Sequence, residues 1–171
     1  MVDLKSLSDI CVKCGMCCDG TLFERGTIVS AEDRELAISK NLEVIELRGK
    51  EFFKLPCPLF QGCCTIYDQD KPKVCSRFYC DPLKKVIDGE LSLEVAHEQV
   101  MKLLNLRNEI MTLVAEFEQF KNLNIFELQS EFDLIIQGSK PDELKKYGII
   151  ILKLFLYKEA RKVVHTRPTN T

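Results

Sequence analysis

Residues 11–18 read Cys11-Val12-Lys13-Cys14-Gly15-Met16-Cys17-Cys18, and residues 57–80 add Cys57, Cys63, Cys64, Cys75 and Cys80. All nine cysteines of the 171-residue chain lie in these two blocks, and none follows Cys80. Thiols this dense are metal ligands or a disulfide framework, and the choice decides how this half of the chain folds. The opening Met1-Val2-Asp3-Leu4-Lys5-Ser6 has no basic segment leading into an apolar one. No secretory signal is therefore expected, and the chain is read as cytoplasmic. Stable disulfides are rare in a reducing cytosol, and nine thiols would leave one unpaired. The expectation is metal.

The spacing says how thiolates can meet an ion. In Cys11-x2-Cys14 the two intervening residues let the chain turn, so both sulfurs can reach corners about 3.8 Å apart around one tetrahedral ion. Gly15 permits the bend that brings Cys17 to the same place. Adjacent side chains diverge, so Cys17 and Cys18, like Cys63 and Cys64, point at different sites or one of each pair is spare. Eight thiolates complete two four-sulfur sites or one multinuclear cluster, and nine can support a three-metal cluster with bridging sulfurs. Closing a four-sulfur site from the first block needs a cysteine from residues 57–80, so the blocks are expected to share ligands. Tetrahedral sulfur suits zinc and iron–sulfur clusters alike.

The string Cys11-x2-Cys14-Gly15-x-Cys17-Cys18, then Cys57-Pro58-Leu59, Cys64-Thr65-Ile66-Tyr67, and Lys71-Pro72-x2-Cys75 with Arg77-Phe78 and Cys80, resembles the YkgJ-type cysteine-cluster family. That family is described as zinc- or iron-chelating and has eight patterned cysteines. Matched by position, the resemblance implies metal ligands at Cys11, Cys14, Cys17, Cys18, Cys57, Cys64, Cys75 and Cys80, and leaves Cys63 as the extra thiol. Two departures stand out. Lys71-Pro72 replaces the usual Arg-Pro, and Ser76 separates Cys75 from Arg77. Neither touches a thiolate. The family has no single reaction, so the resemblance bears on the site more than on the function.

Around the cysteines, residues 1–88 read as an irregular metal-binding module with short strands in Thr21–Val29, Leu42–Leu47 and Glu51–Leu55. Ser30-Ala31-Glu32-Asp33 reads as a capping box opening a short helix to about Lys40. Pro56, Pro58, Gly62, Pro72 and Pro82 break the second block into loops. Residues 89–171 differ. Ala96, Val100, Leu103, Ile110, Val114 and Phe117 mark a long amphipathic helix over Ser92–Phe120, with Arg107 the one polar residue in its stripe. A second helix is expected over Ile125–Gln137, ending at Gly138, and a third from Pro141 to about Val164. The apolar run Gly148–Tyr157 is too short to span a bilayer and reads as a buried core helix. The fold class is α+β: a small metal-stabilised cysteine-rich module with short strands, followed by a C-terminal helical hairpin or three-helix bundle.

With 46% apolar and 29% charged residues and a net charge of −2, the chain has no basic footprint for nucleic acid and no membrane segment. There is no phosphate loop, dinucleotide fingerprint or nucleophile–base constellation, so no catalytic residue is assigned. His97 and His165 are weighed as replacement ligands and set behind the thiols. Tyr67 reads as an aromatic cover for the cluster, Arg77 as a hydrogen-bond donor to sulfur or a surface residue, and Asp19 as an outer acceptor or a turn residue. The expected function is an iron–sulfur protein of redox or accessory (maturation) type, with a protein partner on the helical region. The alternative is a zinc-binding structural or interaction module, and behind both stands an enzyme with an open metal position.

Overall fold

The structure, a computed structural model, describes residues 4–165. Its fold is α+β, with a small three-stranded antiparallel sheet in the N-terminal half and helices through the C-terminal half. The first element is a helix where the sequence reading had irregular chain: α1 spans Leu4–Cys14. The overlooked signal is the spacing of Leu7, Ile10, Cys11 and Cys14, in steps of three and one, because cysteine behaves as a small hydrophobe on a buried helix face. Leu7 is fully buried and Ile10 is 8% exposed.

The sheet comprises β1 (Arg25–Thr27), β2 (Val44–Leu47) and β3 (Lys50–Lys54), in the order β1-β3-β2. β2 and β3 form a hairpin whose two turn residues, Arg48 (φ 54) and Gly49 (φ 72), take the positive φ of a tight primed turn. Helix α2 (Ala31–Ser39) starts where Ser30 accepts from the Asp33 N–H at 3.3 Å. The capping box is only half made, because the Asp33 carboxylate turns elsewhere. It accepts from the Val29 N–H at 3.1 Å and from the Lys73 N–H at 2.8 Å. Lys73 opens the short helix α3 (Lys73–Arg77), so one buried carboxylate ties α2 to α3. Ile28, Ala37, Leu42 and Phe53 make a small core beneath the sheet.

Helices α4 (Asp81–Ile87) and α5 (Leu93–Val114) follow, α5 capped by Ser92. The expected stripe is the buried one: Ala96, Val100, Leu103, Ile110 and Val114 are at most 1% exposed. The helix stops at Val114 rather than Phe120. Phe117 and Phe120 leave it in turns to pack with Phe132 and Tyr147, and that aromatic cluster outweighs continued helix. α6 (Ile125–Gly138) begins at a reciprocal capping box between Asn124 and Glu127. The expected third helix is broken into α7 (Pro141–Leu144), a 3-10 turn (Lys145–Tyr147) and α8 (Gly148–Val164), and the tightened turn delivers Tyr147 to the aromatic cluster.

α5 and α8 pack together, and the main core crosses position 88: Leu7, Ile10, Met16 and Leu22 share it with Leu83, Val100, Leu103 and Tyr157. The run Gly148–Tyr157 is buried on one face only. Ile150, Leu154 and Tyr157 face inward, while Ile149, Leu152, Phe155 and Leu156 are exposed. Among the described residues no helix is long and apolar enough to cross a membrane.

Three polar contacts join the C-terminal helices to the loop after Cys18. Tyr157 donates its hydroxyl proton to the Thr21 carbonyl at 2.9 Å, Arg161 donates to the Leu22 carbonyl at 3.1 Å, and Arg107 pairs with Asp19 at 3.5 Å. Burial pushes the Tyr157 hydroxyl from 10.0 up to about 12, against the pull of nearby Arg161. A phenol whose folded pKa is raised adds stability that is complete below about pH 10 and lost as pH rises toward about 12. Tyr157→Phe is expected to cost about 1 kcal/mol at neutral pH by removing a buried hydrogen bond. Urea titration checks this, and between pH 10 and 12 the gap between variant and parent should shrink.

Candidate metal centre

The eight cysteines named from the resemblance line one cavity of about 570 Å³, and Cys63 is not among its walls. Each is brought there by local structure. Cys11 and Cys14 stand three residues apart on α1, on one helix face. Gly15, at φ +63, ends the helix, and its carbonyl accepts from the Cys18 N–H at 2.8 Å and the Asp19 N–H at 3.0 Å. This turn sets Cys17 and Cys18 side by side. The Cys57 N–H donates to the Cys18 carbonyl at 2.7 Å, which joins the second block to the first. Phe60 and Cys64 form an isolated bridge. Cys75 lies on α3, and Cys80 is the N-terminal cap residue of α4.

The thiols influence one another in two sets. Burial raises Cys14 to about 12, the Met16 N–H opposes it, and Cys80 and Cys11 add to the rise. Burial holds Cys17 well above the ordinary value, with Cys14, Cys18, Cys80 and Cys11 contributing. Cys80 is raised to about 11 by burial, against the Leu83 N–H and with help from Cys11. Cys11, Cys14, Cys17 and Cys80 all pack with the main core and make up the first set, while Cys18 also acts on Cys17. In the second set, burial raises Cys18 to about 12, followed by Cys64, Cys57 and Cys75. Cys75 reaches about 12 by burial, then Cys57 and Cys64, with Lys71 opposing. Burial also raises Cys57, against N–H groups of Leu59 and Phe60 and with Cys64 adding to it. Each set takes three cysteines from one block and one from the other.

This donor set fits a thiophilic metal. Sulfur is a soft donor, and the N–H groups of Met16, Leu59, Phe60 and Leu83 favour the thiolate form of the sulfurs they reach. Among the described residues, no group of three or more His, Cys, Asp and Glu side chains is set to hold a metal ion as it stands.

Tyr67 lines the cavity with Lys71 over its ring, the ammonium 3.8 Å from the ring centre. Arg77 is exposed and outside the lining, and His97 is exposed on α5. His165 packs edge-on against Phe23 at 4.9 Å. Asp19 accepts from the Thr21 N–H at 2.8 Å and meets Arg107, so it fastens the turn after Cys18. Sequence reasoning did not single out Phe60. Its ring lies against Gly15, where an added Cβ would stand 2.2 Å away. Family models, curated proteins and solved structures were all compared with the chain, and none matches. The family resemblance therefore rests on the residues quoted for it.

Gly15→Ala is expected to destabilise the fold by at least about 1 kcal/mol, because it adds a methyl group at positive φ. Relief of the 2.2 Å clash requires the Phe60 ring, which lines the cavity beside Gly15, to shift. A lowered thermal midpoint with faster alkylation of Cys14 and Cys17 would mark that movement.

Proposed function

We propose that this is a metal-binding protein whose cysteine sets, Cys11/Cys14/Cys17/Cys80 and Cys18/Cys57/Cys64/Cys75, hold iron–sulfur clusters in a redox or accessory (maturation) role. The observation that carries the reading is the gathering of eight cysteines, from blocks 38 residues apart, around one cavity. The resemblance to the YkgJ-type family supports the same eight donors. The Cys11-x2-Cys14-x2-Cys17 run with the remote Cys57-Pro58 favours iron–sulfur over lone zinc ions.

When bound, such a cluster supplies one-electron chemistry at a potential set by hydrogen bonds to sulfur, charge and solvent access. The chain's own contribution is legible in those terms. Met16, Phe23, Phe60, Phe78 and Leu83 wall the cavity with apolar surface, and backbone N–H groups donate to the sulfurs.

Anaerobic purification followed by visible absorption, iron, zinc and acid-labile sulfide analysis tests the reading. Iron with matching sulfide supports it. Colourless protein with stoichiometric zinc instead supports a structural zinc module, and protein that binds neither metal overturns both.

Cys63 is exposed beside Cys64 and outside the cavity. Cys63→Ser is therefore expected to leave metal content unchanged, whereas Cys64→Ser should lose up to half of it. Metal analysis of the two variants separates a spare thiol from a ninth ligand. The loop between Leu55 and Pro72 has no helix or strand, so its order is expected to depend on metal. Exhaustive metal removal should make this loop the first site of protease cleavage, with the C-terminal helices keeping their far-UV signal.

A further inference from the structure

The two cysteine sets are held by very different amounts of structure. Cys11 and Cys14 sit on α1, Cys80 caps α4 and is 8% exposed, and Cys11, Cys14 and Cys17 pack against the main core. That core runs through α5 and α8. The other set stands on thinner support. Cys57 packs against a core of only four buried residues, Ile28, Ala37, Leu42 and Phe53. Cys57 and Cys64 lie in the stretch between Leu55 and Pro72, whose only ladder contact is the Phe60–Cys64 bridge. Cys75 rides on a helix of five residues and is exposed, although its sulfur faces the shared cavity. Segments with few buried contacts open locally at lower free-energy cost than the core does.

We infer that the centres are unequal in exchange: Cys18, Cys57, Cys64 and Cys75 form a labile centre that takes up metal from, and releases it to, external thiol or chelating acceptors, while Cys11, Cys14, Cys17 and Cys80 form a retained one. This rests on the metal-binding reading above and adds a direction of traffic to it. An incoming chelator reaches the labile centre from the exposed Cys75 side. The metal leaves as its chelate, the inorganic sulfide of the cluster leaves as hydrogen sulfide, and the sulfide and the four thiolates take their protons from water. Cys11, Cys14 and Cys17 are as exposed as Cys18, Cys57 and Cys64, so the retained centre is held by the core against which its cysteines pack rather than by shielding. Adjacent Cys17 and Cys18 give the two centres one common turn, so the labile one empties without unthreading the other.

The test uses metal-loaded, anaerobically purified full-length protein, with EDTA as the probe. Released metal is followed in time, and the cysteines exposed at each stage are identified by alkylation and peptide mass mapping. Two phases of equal amplitude are expected, the first faster by about tenfold or more, a barrier difference of about 1.4 kcal/mol. Cys18, Cys57, Cys64 and Cys75 should be alkylated in the first phase and the other four in the second. Cys75→Ser should abolish the fast phase and keep half of the metal. Release in a single phase with all eight cysteines labelled together overturns the inference while leaving the metal-binding reading intact, as does earlier labelling of Cys11, Cys14, Cys17 and Cys80. Protein that carries no metal after purification and reconstitution overturns both. The labelling order is read on unmodified protein, so it decides the matter even where a variant fails to fold.

Discussion

Neighbouring side chains in a turn leave the backbone in different directions, and at Cys17–Cys18 this constraint organises the molecule. Cys17 packs with Cys11, Cys14 and Cys80 on the main core, and the Cys18 carbonyl accepts the Cys57 N–H. The turn exists because Gly15 adopts a left-handed conformation that ends α1 and accepts two N–H groups at its carbonyl. Two divergent thiols then require the chain to return twice to the same turn. Cys80 must come back to α1, and Cys57 must come back to Cys18. The sheet and α2 lie between the blocks and make that return, and the Cys57 N–H closes it on the Cys18 carbonyl.

The helices do more than add bulk. The loop carrying the two adjacent cysteines is anchored by its own Met16 and Leu22 in the main core, and polar contacts from the helices fix it further. Tyr157 and Arg161 on α8 hold the carbonyls of Thr21 and Leu22, and Arg107 on α5 holds Asp19. Arg107 looked anomalous as a polar residue in an apolar stripe. Its guanidinium reaches past the core to a carboxylate one residue beyond Cys18, and that is the reason for its place. The Arg107–Asp19 pair is partly shielded, the aspartate side chain being 12% exposed, which lifts it above an ordinary surface ion pair.

Periodicity made the C-terminal half readable, because α5 and α6 bury one face against a core that rewards a period of 3.6. It misplaced ends where aromatic packing competed with helix, at Val114 and at Tyr147. In the N-terminal half β2 and β3 were visible as β-branched and apolar runs, only Arg25–Thr27 of the expected Thr21–Val29 strand forms, and α1 was masked by its own cysteines. Counted as ligands, Cys11 and Cys14 conceal that they are also apolar residues on a helix face. The partition of eight cysteines into two sets was open in the sequence, since spacing alone allows one cluster or two. Three-dimensional return of the chain narrows it. Phe60 left no trace in a one-dimensional reading, because its role depends on what lies across from it.

Asp33 carries a consequence of a different kind. It is a charged side chain buried to 2% exposure, with both oxygens committed to backbone donors, Val29 on one side and Lys73 on the other. α2 and α3 therefore move as one strut, and the cysteine at the middle of α3 is aimed by a residue 42 positions earlier in the chain. Through this carboxylate, and the Lys73 Nζ–Ser30 Oγ hydrogen bond at 3.3 Å beside it, the helix that carries a cavity-lining cysteine is fastened to a corner of the fold that contains no cysteine at all.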